Sequence, residues 1–250
     1  MKHRKIYNII GIIFVVLLWF ILSYFELVNR LFLPLPHKVF NTFFELIFSG
    51  SILPDFLATL LRMVSGFLLA LIIGVPLGVL IGYFDKVYDS LEFLIDFFRS
   101  IPATALIPLF LLLFGIGEES KILLVAFVCS LIIIVNTMYG VHNGNKLRIH
   151  VAKSMGASKL NILSKVILPE SMPHTFAGLR IALSFSLIIV IVNEIVIGTN
   201  AGLGNRIIES QLVFNTKELY AVIIFTGILG YLINMVFLVF EKTFVHWSGK

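Results

Sequence analysis

The chain has 250 residues, of which 59% are hydrophobic and only 13% charged, with a mean hydropathy of +1.03. A soluble domain carries about 25% charged residues, so this chain has too few to coat a water-soluble surface. The net charge of +5 is better explained by loops on one side of a membrane than by nucleic-acid binding.

A helix needs about 20 mostly apolar residues to cross the hydrocarbon core of a bilayer. Taken in order, the sequence predicts an all-α polytopic membrane protein, a single domain over 1–250, with about six such helices. The first covers 9–25, after the basic start Lys2-His3-Arg4-Lys5. It contains Trp19 and is followed by no small-residue cleavage pattern, so it is expected to be retained. The second covers 57–84. The third, 97–116, contains Pro102 and Pro108 and is expected to kink or break. The fourth covers 122–139 and carries the only cysteine, Cys129, which reads as a small core residue. The fifth and sixth cover 176–198 and 219–240. The 24 phenylalanines suit lipid-facing surface.

With the N-terminus inside, twelve Lys and Arg fall on the cytoplasmic side and five outside, Arg62 and Arg180 lying at or within helices. That excess favours an N-in, C-in topology. The longest inside segment is 140–175. From Ile149 to Ile167, apolar residues (Ile149, Ala152, Met155, Leu160, Leu163, Ile167) recur at helical spacing between polar ones. This predicts an amphipathic helical stretch that ends at Leu168-Pro169. Gly156 should mark a bend or a close approach by another chain. Pattern alone also allows a helix lying on the membrane surface.

The run from Ala152 through Gly156-Ala157 to Val166-Ile167-Leu168-Pro169 resembles the signature loop of binding-protein-dependent ABC importer permeases. That pattern is Glu-Ala-Ala, three residues, Gly, nine residues, then Ile-x-Leu-Pro. The Glu-Ala-Ala slot here reads His150-Val151-Ala152. Further segments are similar to the nitrate, sulfonate, taurine and bicarbonate type: Leu33-Pro34-Leu35-Pro36, Gly74-Val75-Pro76-Leu77-Gly78, Arg99-Ser100-Ile101-Pro102, Asn136-Thr137, Asn193-Glu194 and Gly202-Leu203-Gly204. The resemblance implies an importer-permease fold in the cell (inner) membrane. It implies a pore subunit that takes ATP-driven conformational change from a partner and passes a small solute, a sulfonate, nitrate or taurine-like anion. It implies that His150, Val151, Ala152, Gly156, Ala157, Leu168 and Pro169 belong to a coupling loop docked on an ATP-binding cassette subunit. The other implied partners are an extracytoplasmic substrate-binding protein and a second, identical permease chain.

The chain itself has no Walker-type phosphate loop, no His-Glu-x-x-His, no nucleophile-elbow serine and no metal-ligand spacing among its six histidines. It is therefore expected to be no enzyme and to bind no cofactor, with ATP and Mg on the partner. Ionisable groups inside spans are costly and usually face protein or water. Asn193 and Glu194 are candidates for the translocation path, and a buried carboxylate bonded across helices is an equal reading of Glu194. Arg62 and Arg180 are weaker path candidates, since either can snorkel to headgroups. Asn136 and Asn234 read as interhelical hydrogen-bonding groups, and Gly74, Gly78, Gly227 and Gly230 as sites of close helix approach. The alternative function is an ion-coupled secondary transporter using Glu194.

Overall fold

The computed structural model describes residues 2–246. Lys250, counted above as cytoplasmic, lies outside them, as do the side chains of Lys2, Arg4 and Lys5. The described residues form helices α1 (Lys2–Tyr24), α2 (Pro36–Phe48), α3 (Leu53–Tyr83), α4 (Asp85–Arg99), α5 (Ile107–Phe114), α6 (Glu118–His142), α7 (Lys146–Ser154), α8 (Lys159–Ile162), α9 (Leu168–Ile197), α10 (Leu203–Leu212) and α11 (Thr216–Phe244). Three of them, α3, α6 and α11, are long and apolar enough to cross a membrane, as is the continuous helical run Lys159–Ile197. The bent pair of α4 with Ala103–Phe114 can make a fifth span, and Ile10–Tyr24 is a shorter apolar helix.

The third predicted span is broken, as its prolines required. Between α4 and a 3₁₀ turn at Ala103–Leu106 the path bends by 87°. Pro102 has no N–H to continue the ladder and forces Ile101 out of helical geometry. Pro108 sits in the first turn of α5, where a missing N–H costs nothing. Unlike the prediction, α4 begins at Asp85 and is amphipathic, with Tyr88 and Ile95 buried.

The helical path does not end at Leu168-Pro169 as predicted. It continues through a π-helical turn at Leu163–Ile167 into α9. The wider π turn accommodates a proline that can neither donate to the ladder nor fit against the carbonyl four residues back. Nor are α2 and α10 in the sequence reading. Both are too short to span a bilayer, and α2 starts on Pro36.

Contacts divide the chain into two compact units, with α3 and α11 contributing residues to both. The first comprises residues up to Ala58 with Gly198–Leu229. There the Trp19 indole N–H donates to the Pro34 carbonyl at 3.0 Å, and its ring stacks on Tyr220 with centroids 5.8 Å apart. Ser23 donates to the Leu33 carbonyl at 2.8 Å. Arg206 of α10 donates to Asp55 at 2.9 Å and to Glu218 at 2.7 Å, and Asp55 also accepts the Gly202 N–H at 2.9 Å. Burial pulls the Arg206 guanidinium down, but Glu218 and Asp55 outweigh it and hold it above its ordinary value.

The second unit comprises Thr59–Ile197 with the chain from Gly230 onward. Its centre is α6, packed along α9 on one side and against glycines of α3 on another. A Cβ on Gly82 would lie 2.5 Å from the Met138 carbonyl oxygen, and one on Gly178 would lie 2.5 Å from Asn136 Cβ. Backbones approach this closely only where a residue has no side chain, the usual device for packing helices in lipid. Gly74 and Gly78 are close-contact sites of the same kind, and a Cβ on Gly230 would lie 3.2 Å from Leu187, but one on Gly227 would meet no neighbouring element within 4 Å among the described residues. Asn136 bonds within its own helix, to the Ile132 carbonyl, rather than across helices.

Gly82→Leu is expected to force α3 from α6 and lower stability by about 1–3 kcal/mol. Gly227→Ala should be neutral or stabilising by up to about 1 kcal/mol. Thermal unfolding of the detergent-solubilised variants measures both, and equal melting temperatures would show that α3 and α6 are not held by this contact.

Candidate functional site

Two clusters within the second unit contain most of the predicted site residues. The first is the loop between α6 and α9. Asn145 caps α7, its side-chain oxygen accepting the Leu147 N–H at 2.9 Å and the Arg148 N–H at 3.4 Å. At the other end of α7, the Ala157 N–H bonds the Ala152 carbonyl and the Gly156 N–H bonds the Lys153 carbonyl. With Gly156 at φ +79°, this is a Schellman C-cap. Gly156 is thus the residue that stops α7, rather than a glycine inside a helix. Ser158 then caps α8, accepting the Asn161 N–H at 3.3 Å.

This break changes which apolar residues face inward. Val141, Ile162 and Ile167 form a buried cluster against which Ile149, Ala152, Ala157 and Leu163 pack. Met155 and Leu160, predicted to share that face, are instead 81% and 73% exposed. Leu147 and Val151 are also exposed. The chain direction changes at Gly156, so one helical period cannot describe both sides of it. The result is an outward apolar surface carrying Lys153 and Lys159, with a groove of about 490 Å³ lined by Val151, Met155, Arg148, Lys165 and Pro169. His150 is exposed, and its Nδ1 lies 2.6 Å from the Lys146 carbonyl of its own helix. Leu168 and Pro169 open α9 at the groove, with Pro169 in its wall. Glu170 ties this end down, accepting the Asn145 N–H at 3.1 Å and lying 3.6 Å from Arg148.

The second cluster joins α3, α6 and α9. Arg62 does not snorkel; it is buried, and its guanidinium donates to Glu194 at 2.6 Å and to both Glu118 oxygens at 2.5 and 2.8 Å. Thr59 donates to the two Glu194 oxygens at 2.9 and 3.0 Å. Lys121, also buried, lies 3.4 Å from Glu118. Two cations and two carboxylates thus share one site, so its formal charge is zero. Glu194 is fully buried and bonded across helices, the structural one of its two sequence readings. Asn193 beside it is equally buried, with no partner for its side-chain amide among the described residues. Arg180 lies elsewhere on α9, half-exposed and 3.4 Å from Glu241 of α11.

Local pattern does not mark Thr59, Glu118 or Lys121 as site residues, but the level of their neighbours in the bundle does. Arg62 lies in the first third of α3, Glu118 opens α6, and Glu194 lies near the end of α9. In an up-and-down bundle those positions fall at one level, where a buried arginine needs carboxylates.

Long apolar helices and a glycine-packed bundle define a polytopic helical membrane protein. The chain belongs to the family of binding-protein-dependent transport system inner membrane components, whose sequence profile matches residues 74–247. It is 30% identical over 93% of its length, and 91% of the relative's, to a protein of Brucella abortus (strain 2308) described as an ABC transporter permease. It is 29% identical to a Bacillus subtilis (strain 168) protein described as an aliphatic sulfonates transport permease, over 94% of this chain and 85% of the relative. It is 28% identical to the taurine transport system permease protein of Escherichia coli (strain K12), over 99% and 92%. Its fold matches an inward-facing structure of the MetNI methionine ABC transporter with a TM-score of 0.68 at 22% identity, covering 77% of this chain and 95% of that one. The chain is therefore a permease component and not a catalytic subunit. Neither the family nor the Arg62 pairing of Glu194 favours an ion-coupled carrier.

Arg62→Met leaves Glu194 buried without its cation and is expected to cost on the order of 3–5 kcal/mol. Adding Glu194→Leu removes the stranded charge, so the double variant should be more stable than Arg62→Met alone. Thermal unfolding in detergent orders the variants; a double variant less stable than either single one would contradict the pairing.

Proposed function

We propose that this chain forms the pore of an ATP-driven importer, paired with a second copy of itself. The loop α7–α8 serves as the docking element for an ATP-binding cassette subunit. The observation that carries this is the outward face of that loop. Leu147, Val151, Met155 and Leu160 are exposed on a segment whose inner face is anchored by Ile149, Ala152 and Ala157. An apolar surface held rigidly by two caps costs little to order on binding, and Lys153, Lys159 and Arg148 around it suit an acidic groove. His150, in the position of the usual glutamate, turns its ring back to its own helix and leaves the apolar residues as the principal contact. The Lys and Arg excess supports the N-in, C-in topology that places this loop in the cytoplasm.

ATP and Mg bind on the partner, and closure of the ATPase dimer moves the two docking loops. A partner drives a conformational change only by binding the two states with different affinity. Shifting a 1:99 population to 99:1 takes about 5.5 kcal/mol of such difference. A substrate-binding protein delivers the solute from outside. The sulfonate and taurine permeases among the relatives support a small organic anion as that solute.

Copurification tests the docking face. The tagged chain, solubilised from native membranes, should bring down an ATP-binding subunit. Val151→Glu with Met155→Glu should abolish its recovery, and Gly156→Trp should reduce it, while the permease still reaches the membrane. Equal recovery with all three proteins would move the docking site elsewhere on the chain.

A further inference from the structure

The break between α4 and α5 lies beside a cavity of about 520 Å³ in the second unit. That volume is within the range of about 300–1,000 Å³ usual for small-ligand sites. The facing walls come from the middle of two long helices, Val128 to Asn136 of α6 and Ile181 to Phe185 of α9. It therefore lies at mid-depth in both, with Arg99, which the sequence count assigns to the cytoplasmic side, at its edge.

Its lining is chemically lopsided. Arg99 is the only charged side chain among the lining residues, and Asn136 adds an amide; most of the rest is apolar, including Leu131, Ile132 and Phe185. The Arg99 guanidinium lies 3.1 Å from Asp96 as an ion pair, without hydrogen-bond geometry to that oxygen, so its donors can turn to a ligand. The Asn136 amide gives one N–H to Ile132 and has a second to offer. Ser100 also lines the cavity, but its hydroxyl already donates to the Asp96 carbonyl at 2.8 Å.

We infer that this cavity is a binding site on the translocation path for an anion with an oxyanion head and a short apolar tail, Arg99 holding the head. A planar guanidinium matches a sulfonate or carboxylate through paired hydrogen bonds, and the aliphatic and phenyl walls take the tail. A fixed cation in an otherwise apolar chamber also selects against cations of the same size, because nothing in the lining neutralises them. Asp96 is a tethered competitor for the guanidinium, which lowers the affinity for a bound anion. The assignment rests on the importer reading above but concerns a different surface from the docking loop.

The test is equilibrium binding of radiolabelled butanesulfonate to the purified permease–ATPase complex, without its substrate-binding protein, so that only the permease's own site is measured. Binding should be saturable, displaced by unlabelled butanesulfonate and unaffected by 1-butanol or butylammonium. Arg99→Gln should weaken it by about tenfold or more, and Arg99→Lys by less, since the charge remains. Asp96→Asn should tighten it, and Leu131→Trp, which fills the chamber, should block it. No saturable binding by the wild type, or equal binding by wild type and Arg99→Gln, would overturn the assignment even if the ATPase copurifies. Loss of the ATPase with intact, Arg99-dependent sulfonate binding would sink the proposed coupling and keep the site.

Discussion

The constraint on which the second unit depends is the cost of charge away from water. Arg62, Lys121 and Glu194 are buried in helices that otherwise suit hydrocarbon. A lone charge there would cost several kcal/mol even after relaxation. The arrangement answers this by neutrality: one guanidinium bridges Glu118 of α6 and Glu194 of α9, and Thr59 gives Glu194 a further donor. Sliding α3 or α9 alone would strand Glu194, and sliding α6 would take Glu118 from Arg62. The cluster therefore fixes the register of α3, α6 and α9 at one end, and glycine contacts allow the same helices to stay close along the rest of their length.

That register links the two clusters. The helix α9 follows the α7–α8 loop, with Pro169 in the groove wall, and carries Glu194 near its far end. At 1.5 Å per residue its 30 residues span about 45 Å. A continuous helix thus connects the loop to the charge cluster, past the cavity wall at Ile181 and Phe185. The π turn at Leu163–Ile167 immediately precedes α9.

The broken α4–α5 segment serves the opposite purpose. Its prolines prevent a straight helix from filling the space beside α6, and the chain bends by 87° instead. The backbone there closes with local bonds, Ser100 to Asp96 and Ile101 to Phe98, so little of it is left unpaired in an apolar setting. The turn leaves room for a chamber with Arg99 at its edge.

By itself the sequence determined that the chain is a helical membrane protein, where most of its long apolar helices lie, that the third is interrupted, and that Gly156 marks either a bend or a close approach by another chain. Each of these follows from local chemistry: hydropathy over a window, a missing N–H, a residue that tolerates positive φ. The family was legible for the same reason, since its motif is contiguous in the chain. Only the tertiary structure decided that Arg62 meets Glu118 and Glu194 rather than headgroups, because those partners are 56 and 132 residues away. It also decided that Met155 and Leu160 turn outward, since a change of chain direction at the cap voids the single helical period on which the inward assignment rested. The amphipathic α2 and α10 were missed because neither is long enough to give a spanning signal. Local pattern shows what a residue can form; which distant group completes it is settled by packing.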